Sequence, residues 1–253
     1  MAGSLAMKAY DVATGAERWT VHGLPSFVCT TPVLGDGLVF FAGWSPGKSD
    51  SPWPSWESTV EKMDKNKDGK ISPDEFEGGP AWFKAQDVDK DGAITIKDWD
   101  LISGLMKRGE NVLLAVKPGG QGDITATAVA WKATRGLPYV PSPLHYDGRV
   151  YLIRDGGLMS SFDAKTGQPF YQQERVKDAL GSYYASPVAA DGRIFVVSLT
   201  GKVSVIKAGG DHPEVVHQAD FGERIATTPI LLGEKLYLRT QTQLYAFGES
   251  PTR

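Results

Sequence analysis

Ala185-Ser-Pro-Val-Ala-Ala-Asp-Gly-Arg-Ile-Phe-Val196 is the phrase on which the fold turns. A hydroxyl residue and a proline open a short apolar run, Asp191-Gly192 supplies a tight hairpin turn, and a second apolar run follows. The phrase returns as Pro141-Ser-Pro-Leu-His-Tyr-Asp-Gly-Arg-Val-Tyr-Leu152, as Thr30-Thr-Pro-Val-Leu-Gly-Asp-Gly-Leu-Val-Phe-Phe41 and as Thr227-Thr-Pro-Ile-Leu-Leu-Gly-Glu-Lys-Leu-Tyr-Leu238. The marker prolines Pro143, Pro187 and Pro229 stand 44 and 42 residues apart. Pro32 to Pro143 is 111 residues, and setting aside the 67 residues of 44–110 leaves 44. The repeat resumes in register, so 44–110 reads as an insert in an older repeat.

A period of 40 to 50 residues with four short strands per unit marks a β-propeller, whose blades bury their apolar faces only against one another. Between hairpins runs a further strand pair, clearest at Leu158-Met-Ser-Ser-Phe-Asp-Ala-Lys-Thr-Gly-Gln-Pro-Phe-Tyr171, which repeats the aromatic-Asp-x-x-Thr-Gly turn of residues 10–15. The 186 residues outside the insert make just over four units, beginning mid-blade and ending after a third strand. In a closed ring, Ser4–Tyr10 and Gln243–Phe247 would compete for one strand position. The expectation is therefore an open arc of a larger ring, with unpaired end edges that invite self-association.

The insert carries its own pattern. Asp64-Lys-Asn-Lys-Asp-Gly-Lys-Ile-Ser-Pro-Asp-Glu75 has oxygen side chains at positions one, three and five, Asp64, Asn66 and Asp68. Asp87, Asp89 and Asp91 repeat them 23 residues on. Glycine follows at position six (Gly69, Gly92), where a cation-wrapping loop bends sharply. Position seven (Lys70, Ala93) offers only its carbonyl, position nine (Ser72, Thr95) a hydroxyl, and position twelve is Glu75 or Asp98. This resembles the EF-hand calcium loop, twice over, across roughly residues 53–108. The resemblance implies two Ca²⁺ sites and a short two-strand bridge at the eighth positions, Ile71 and Ile94.

The two loops are expected to differ. Glu75 is long enough to ligate through both oxygens, whereas Asp98 is one methylene shorter and ligates through one. That favours six-coordination and admits Mg²⁺ at the second site. The stretch from Glu75 to Asp87 leaves about one helical turn on each side of Gly78-Gly79-Pro80, which favours a rigid module over an opening sensor. Trp44, Trp53, Trp56, Trp82 and Trp99, with Phe76, Phe83, Ile102 and Leu105, are expected to build the small core between its helices.

Composition narrows the function. Net charge is −3, with residues 44–110 holding 14 of the 30 acids, and no basic face suits nucleic acid. No apolar run approaches the roughly 18 residues that span a bilayer. The first residues form no charged-then-apolar leader, so for an exported protein a leader is expected upstream. The single cysteine, Cys29, permits no intrachain disulfide and reads as a buried thiol. Gly43-Trp-Ser45-Pro-Gly47 satisfies the G-x-S-x-G nucleophile pattern, but the residue after the serine is Pro46, which has no N–H for an oxyanion. The four histidines (His22, His145, His212, His217) include no pair at helical ligand spacing.

Ala9-x-Asp11-x-x-x-Gly15-x-x-x-Trp19 resembles the tryptophan-docking motif of pyrroloquinoline-quinone-type propellers, and Ser161-x-Asp163-x-x-x-Gly167-x-x-x-Tyr171 is a looser copy. Outside the insert the chain is similar to the C-terminal half of the BamB-like propeller repeat proteins, through Gly122-Asp-Ile-Thr, Ala130-Trp-Lys and the hairpin phrases. That resemblance implies a mainly β fold: about four blades, an arc of a seven- or eight-bladed ring, with a small α-helical EF-hand insertion. The divisions are 1–43 and 111–253 for the propeller and 44–110 for the EF-hand pair. It also implies a periplasmic or extracellular location and a non-catalytic scaffold for protein contact, the partner unnamed. Part of a quinone-dependent oxidoreductase is one alternative, although a lone cysteine cannot supply the adjacent pair of those enzymes. A calcium-regulated binding module is the other.

Overall fold

The computed structural model describes residues 1–47 and 52–248. The chain forms two compact units, Met1–Trp44 with Asn111–Arg253, and Ser45–Glu110.

Among the described residues the first unit holds five small sheets. Blade one holds Ala2–Gly3, Ala6–Tyr10 and Glu17–His22, with Gly122–Asp123 added in parallel. Blade two holds Val33–Gly35, Leu38–Gly43, Val112–Val116 and Val129–Ala133. Blade three holds Leu144–Tyr146, Arg149–Arg154, Leu158–Asp163 and Pro169–Arg175. Blade four holds Val188–Ala190, Arg193–Val197, Lys202–Lys207 and Val215–Asp220. Blade five holds Ile230–Leu232, Lys235–Arg239 and Leu244–Phe247. The hairpin phrase forms the first two strands of blades two to five. Its turn aspartates Asp36, Asp147 and Asp191 sit at φ 48, 49 and 48°, each followed by a left-handed glycine, which is the backbone that Asp-Gly tolerates.

Strand alternation gives each blade two apolar faces. In blade three, Val150, Leu152 and Phe162 pack back onto Phe40, Leu113 and Ala115 of blade two. Tyr151, Ile153 and Met159 pack forward onto Ile194, Val196 and Ile206 of blade four.

Two devices fasten neighbours. The first is a relay through the residue before each marker proline: the Thr31 amide donates to Ser142 Oγ (2.9 Å), Ser142 to Ser186 Oγ (3.0 Å), and Ser186 to Thr228 Oγ1 (3.0 Å). The second is the docking aromatic on the outer strand. Trp19, Trp131 and Tyr171 stand in one register, opposite Ala9, Ala115 and Ser161, and His217 takes the same place opposite Val205. The Trp131 indole lies 6.0 Å from Phe40 and 6.4 Å from Phe162, and its Nε1 donates to the Ala164 carbonyl (3.0 Å). Gly167, at φ 73°, lies so close beneath that a Cβ there would come within 2.6 Å of the indole. The Asp-x-x-Thr-Gly phrase makes that approach: Asp163 Oδ1 accepts from both the amide (2.7 Å) and hydroxyl (2.8 Å) of Thr166, and Asp11 binds Thr14 likewise.

Cys29 corrects the expectation of a buried thiol. It is exposed, in the loop entering blade two, and partial desolvation pushes its thiol pKa up, away from reactivity. Ser45 is buried and on no helix. Trp44 packs edge-on against Tyr139 (5.9 Å), on the propeller rather than among the insert's aromatics.

Candidate metal centre

The described residues of the second unit carry three helices: α1 (Trp56–Met63), α2 (Pro80–Gln86) and α3 (Ile96–Arg108). Ser55 caps α1 by accepting from the Ser58 amide (3.2 Å). Pro80 opens α2, where its fixed φ suits the first helical position. The link between the loops is less even than expected. At Glu75 there is a single turn, Ser72 to Phe76, closed by Phe76 N–H to the Ser72 carbonyl (3.1 Å), whereas α2 runs seven residues. Ile71, Phe83, Ile94 and Trp99 form the buried core, with Trp53, Trp56, Met63 and Phe76 against it. Trp82, expected inside, is 48% exposed.

The two loops are wired alike. Asp64 and Asp87 end α1 and α2, their amides donating to the carbonyls of Val60 (3.0 Å) and Phe83 (2.9 Å). Each then turns a carboxylate back into its loop, Asp64 Oδ2 accepting from Gly69 N–H (2.9 Å) and Asp87 Oδ2 from Gly92 N–H (3.1 Å). Gly69 and Gly92 have φ 79 and 93°, the sharp bend expected of position six. Asn66 Oδ1 accepts from Asp68 N–H (2.8 Å), as Asp89 Oδ1 does from Asp91 N–H (3.2 Å). Asp68 and Asp91 bind the amides of Lys70 (2.9 Å) and Ala93 (3.0 Å). Ile71 and Ile94 exchange both backbone hydrogen bonds at 2.9 Å, a bridge joining the loops.

The twelfth residues close the loops. Glu75 Oε1 accepts from the amides of Lys65 (3.0 Å) and Asn66 (3.2 Å), and Oε2 from the amide (2.9 Å) and hydroxyl (2.8 Å) of Ser72. Those bonds, Ser72's foremost, bring its pKa down to about 2. Asp98 repeats the pattern with Val88 and Asp89 on one oxygen and Thr95 on the other. Burial opposes its ionisation, but the Thr95 amide and hydroxyl, with the other two amides, still hold it below the usual carboxylate range. Asp98 is also the third residue of α3, so with Thr95 it completes a capping box at that helix.

Asp87, Asp89 and Asp91 each place a carboxylate oxygen within 4.8 Å of the others. Asp87 is 8% exposed, and its Oδ1 is buried with no hydrogen-bond partner. A buried anionic oxygen costs free energy unless something pairs it. A carboxylate that clusters with two others and keeps one buried oxygen without a partner is chemically suited to a hard divalent cation. In the first loop the third position is Asn66, so fewer negative charges meet.

The EF hand family profile matches residues 59–78 and 81–102, and such a pair implies calcium binding. No curated protein matches the sequence. Among solved structures, BamB from Moraxella catarrhalis aligns over 97% of this chain and 53% of its own, at 13% identity and a TM-score of 0.53. The computationally designed Ika8 protein aligns over 96% and 52%, at 8% identity and a TM-score of 0.55. The chain thus spans about half the length of these structures, and the likeness is one of fold, a BamB-like β-propeller carrying an EF-hand pair.

Proposed function

We propose that the chain is a calcium-binding, non-catalytic β-propeller scaffold for protein contact, in which calcium orders the EF-hand insert. Asp64, Asn66, Asp68, Ser72 and Glu75, with the Lys70 carbonyl, would hold one ion. Asp87, Asp89, Asp91, Thr95 and Asp98, with the Ala93 carbonyl, would hold the second. The observation that carries this reading is the buried, unpaired Oδ1 of Asp87, a carboxylate that clusters with Asp89 and Asp91. Bound calcium supplies positive charge that relieves the repulsion among these carboxylates and ties each helix end to its loop. No described helix is long and apolar enough to cross a membrane. A periplasmic or extracellular setting, where calcium is plentiful, would keep loops of ordinary affinity loaded.

Calorimetric titration of the chain tests this directly. Two calcium ions per chain are expected, and no heat with either Ca²⁺ or Mg²⁺ overturns the reading. The second site is proposed to accept Mg²⁺, because Asp98 reaches with a single short carboxylate. Asp98→Glu is expected to raise calcium-over-magnesium preference there, and an unchanged preference contradicts the coordination argument. Self-association is also part of the proposal. Ile230, Leu232 and Leu244 of blade five are 61, 68 and 71% exposed, and sedimentation velocity that stays monomeric up to high concentration removes it.

A further inference from the structure

The docking aromatics leave one position out. Between blades two and three the Trp131 indole fills the slot between Phe40 and Phe162. Between blades three and four Tyr171 is buried with Tyr151 and Ile206. Between blades four and five the walls are repeated, because Phe195 stands in the register of Phe40, and Phe247 in that of Phe162. The filler is not. His217 occupies the docking position and is exposed.

What lies there instead is a cleft of about 780 Å³ lined by Phe195, Leu231, Leu236 and Phe247, with Ala190, Gly233 and Gly248. Asp191, Arg193, Glu234 and Lys235 also line it, two acids and two bases, so it selects no net charge. Phe221 packs edge-on against Phe247 at 6.0 Å from outside the lining. The volume lies within the range of small-ligand sites, and a lining of apolar and polar side chains together suits an aromatic ring that carries a hydrogen-bond donor.

We propose that this cleft accepts the tryptophan side chain of a protein partner, taking from outside the ring that Trp131 supplies from within the chain one interface earlier. The proposal deepens the scaffold reading and rests on it, while calcium binding by the insert is independent of it. The indole would lie between Phe195 and Phe247, and the flanking backbone of the partner would run across the charged side chains.

Ligand-observed NMR and calorimetry with N-acetyl-tryptophanamide, against N-acetyl-alaninamide, test it on the full chain. Saturable binding of the tryptophan amide alone is expected, with the indole protons receiving most saturation transfer. His217→Trp, which places a ring in the slot from within, is expected to weaken that binding at least tenfold while leaving the calcium titration unchanged. Phe195→Ala removes a wall without adding bulk and is expected to weaken it similarly, so the test survives if the first variant does not fold. Three results overturn the proposal: no saturable binding, equal binding of the alanine amide, or binding indifferent to both substitutions. Binding by a chain ended after Gly248 but not by the full chain also overturns it, and assigns the cleft to the protein's own last residues. Loss of calcium binding with the tryptophan amide still bound would instead sink the calcium reading alone.

Discussion

Ile94→Ala separates the insert's stability from the propeller's and puts a number on calcium's part in it. Ile94 is wholly buried against Ile71, Phe83 and Trp99, and deleting such a side chain costs about 2–5 kcal/mol. The backbone bridge to Ile71 does not need the side chain and should persist. In a unit spanning Ser45–Glu110, each kcal/mol moves the midpoint by about 4–8 °C, so the apo insert should melt roughly 8–40 °C lower. Calcium at a hundredfold excess over its dissociation constant returns about 2.7 kcal/mol per site, about 5 for two. That is enough to offset the loss across its whole range. Scanning calorimetry with calcium and with chelator should show two transitions, only the insert's moving with the substitution and only the insert's recovering with the ion. A calcium shift confined to the propeller transition, or both transitions falling together in Ile94→Ala, would refute the claim that calcium acts by ordering this unit.

Trp131→Ala, at a half-buried site, should cost about 3 kcal/mol and lower the propeller midpoint by roughly 6–12 °C, whereas Trp131→Phe keeps the stacking and gives up only the bond to Ala164, about 1 kcal/mol. Equal losses in calorimetry would contradict the docking role. Ser142→Ala removes the acceptor for the Thr31 amide, and hydrogen exchange at Thr31 should quicken by about fivefold, in line with a bond worth about 1 kcal/mol, while Ser142→Thr retains protection. Asp163 sits below its ordinary pKa of 3.8, first because of the Thr166 hydroxyl and then its amide. A depressed carboxylate adds stability that is full above the unfolded value and fades as pH falls through the folded one. The propeller midpoint should therefore drop below about pH 4, less steeply in Asp163→Asn, and a pH profile unchanged by that substitution would show the turn contributes nothing.

Much of the fold was legible because it is written several times over. A hairpin with a tight turn at its tip, Asp-Gly in three copies and Gly-Glu in the fourth, is a local statement, and four copies leave few architectures that satisfy all of them. The calcium loops were legible for a related reason: oxygen at alternate residues followed by glycine is a backbone specification as much as a ligand list. What the sequence hid depends on contacts between distant residues. The Ser and Thr before the marker prolines were visible as a repeat, but that each hydroxyl accepts an amide from the preceding blade emerges only when the blades are stacked. Cys29 and Trp82 were misplaced because an apolar residue type says nothing about which neighbours arrive to cover it. The double duty of Asp98 was readable in hindsight, since Thr95-Ile-Lys-Asp98 is the capping-box spacing, as Ser72-Pro-Asp-Glu75 is in the first loop.

The position of the insert explains why two such different modules share a chain. Residues 45–110 lie between the second and third strands of blade two, and those strands still pair residue for residue, with Gly43 opposite Val112 and Phe41 opposite Leu114. Where a turn would bring two antiparallel strands together, a folded unit does so instead. Loop-closure entropy rises only slowly with length, so a long insert between two paired strands costs the blade little. The residues flanking that junction, Phe40 to Ala42 and Val112 to Ala115, are among the most buried of the propeller, so the sheet is specified by its own core on both sides of the interruption. Each module can then obey its own chemistry, carboxylates converging on an ion in one and aromatic rings spacing the sheets in the other.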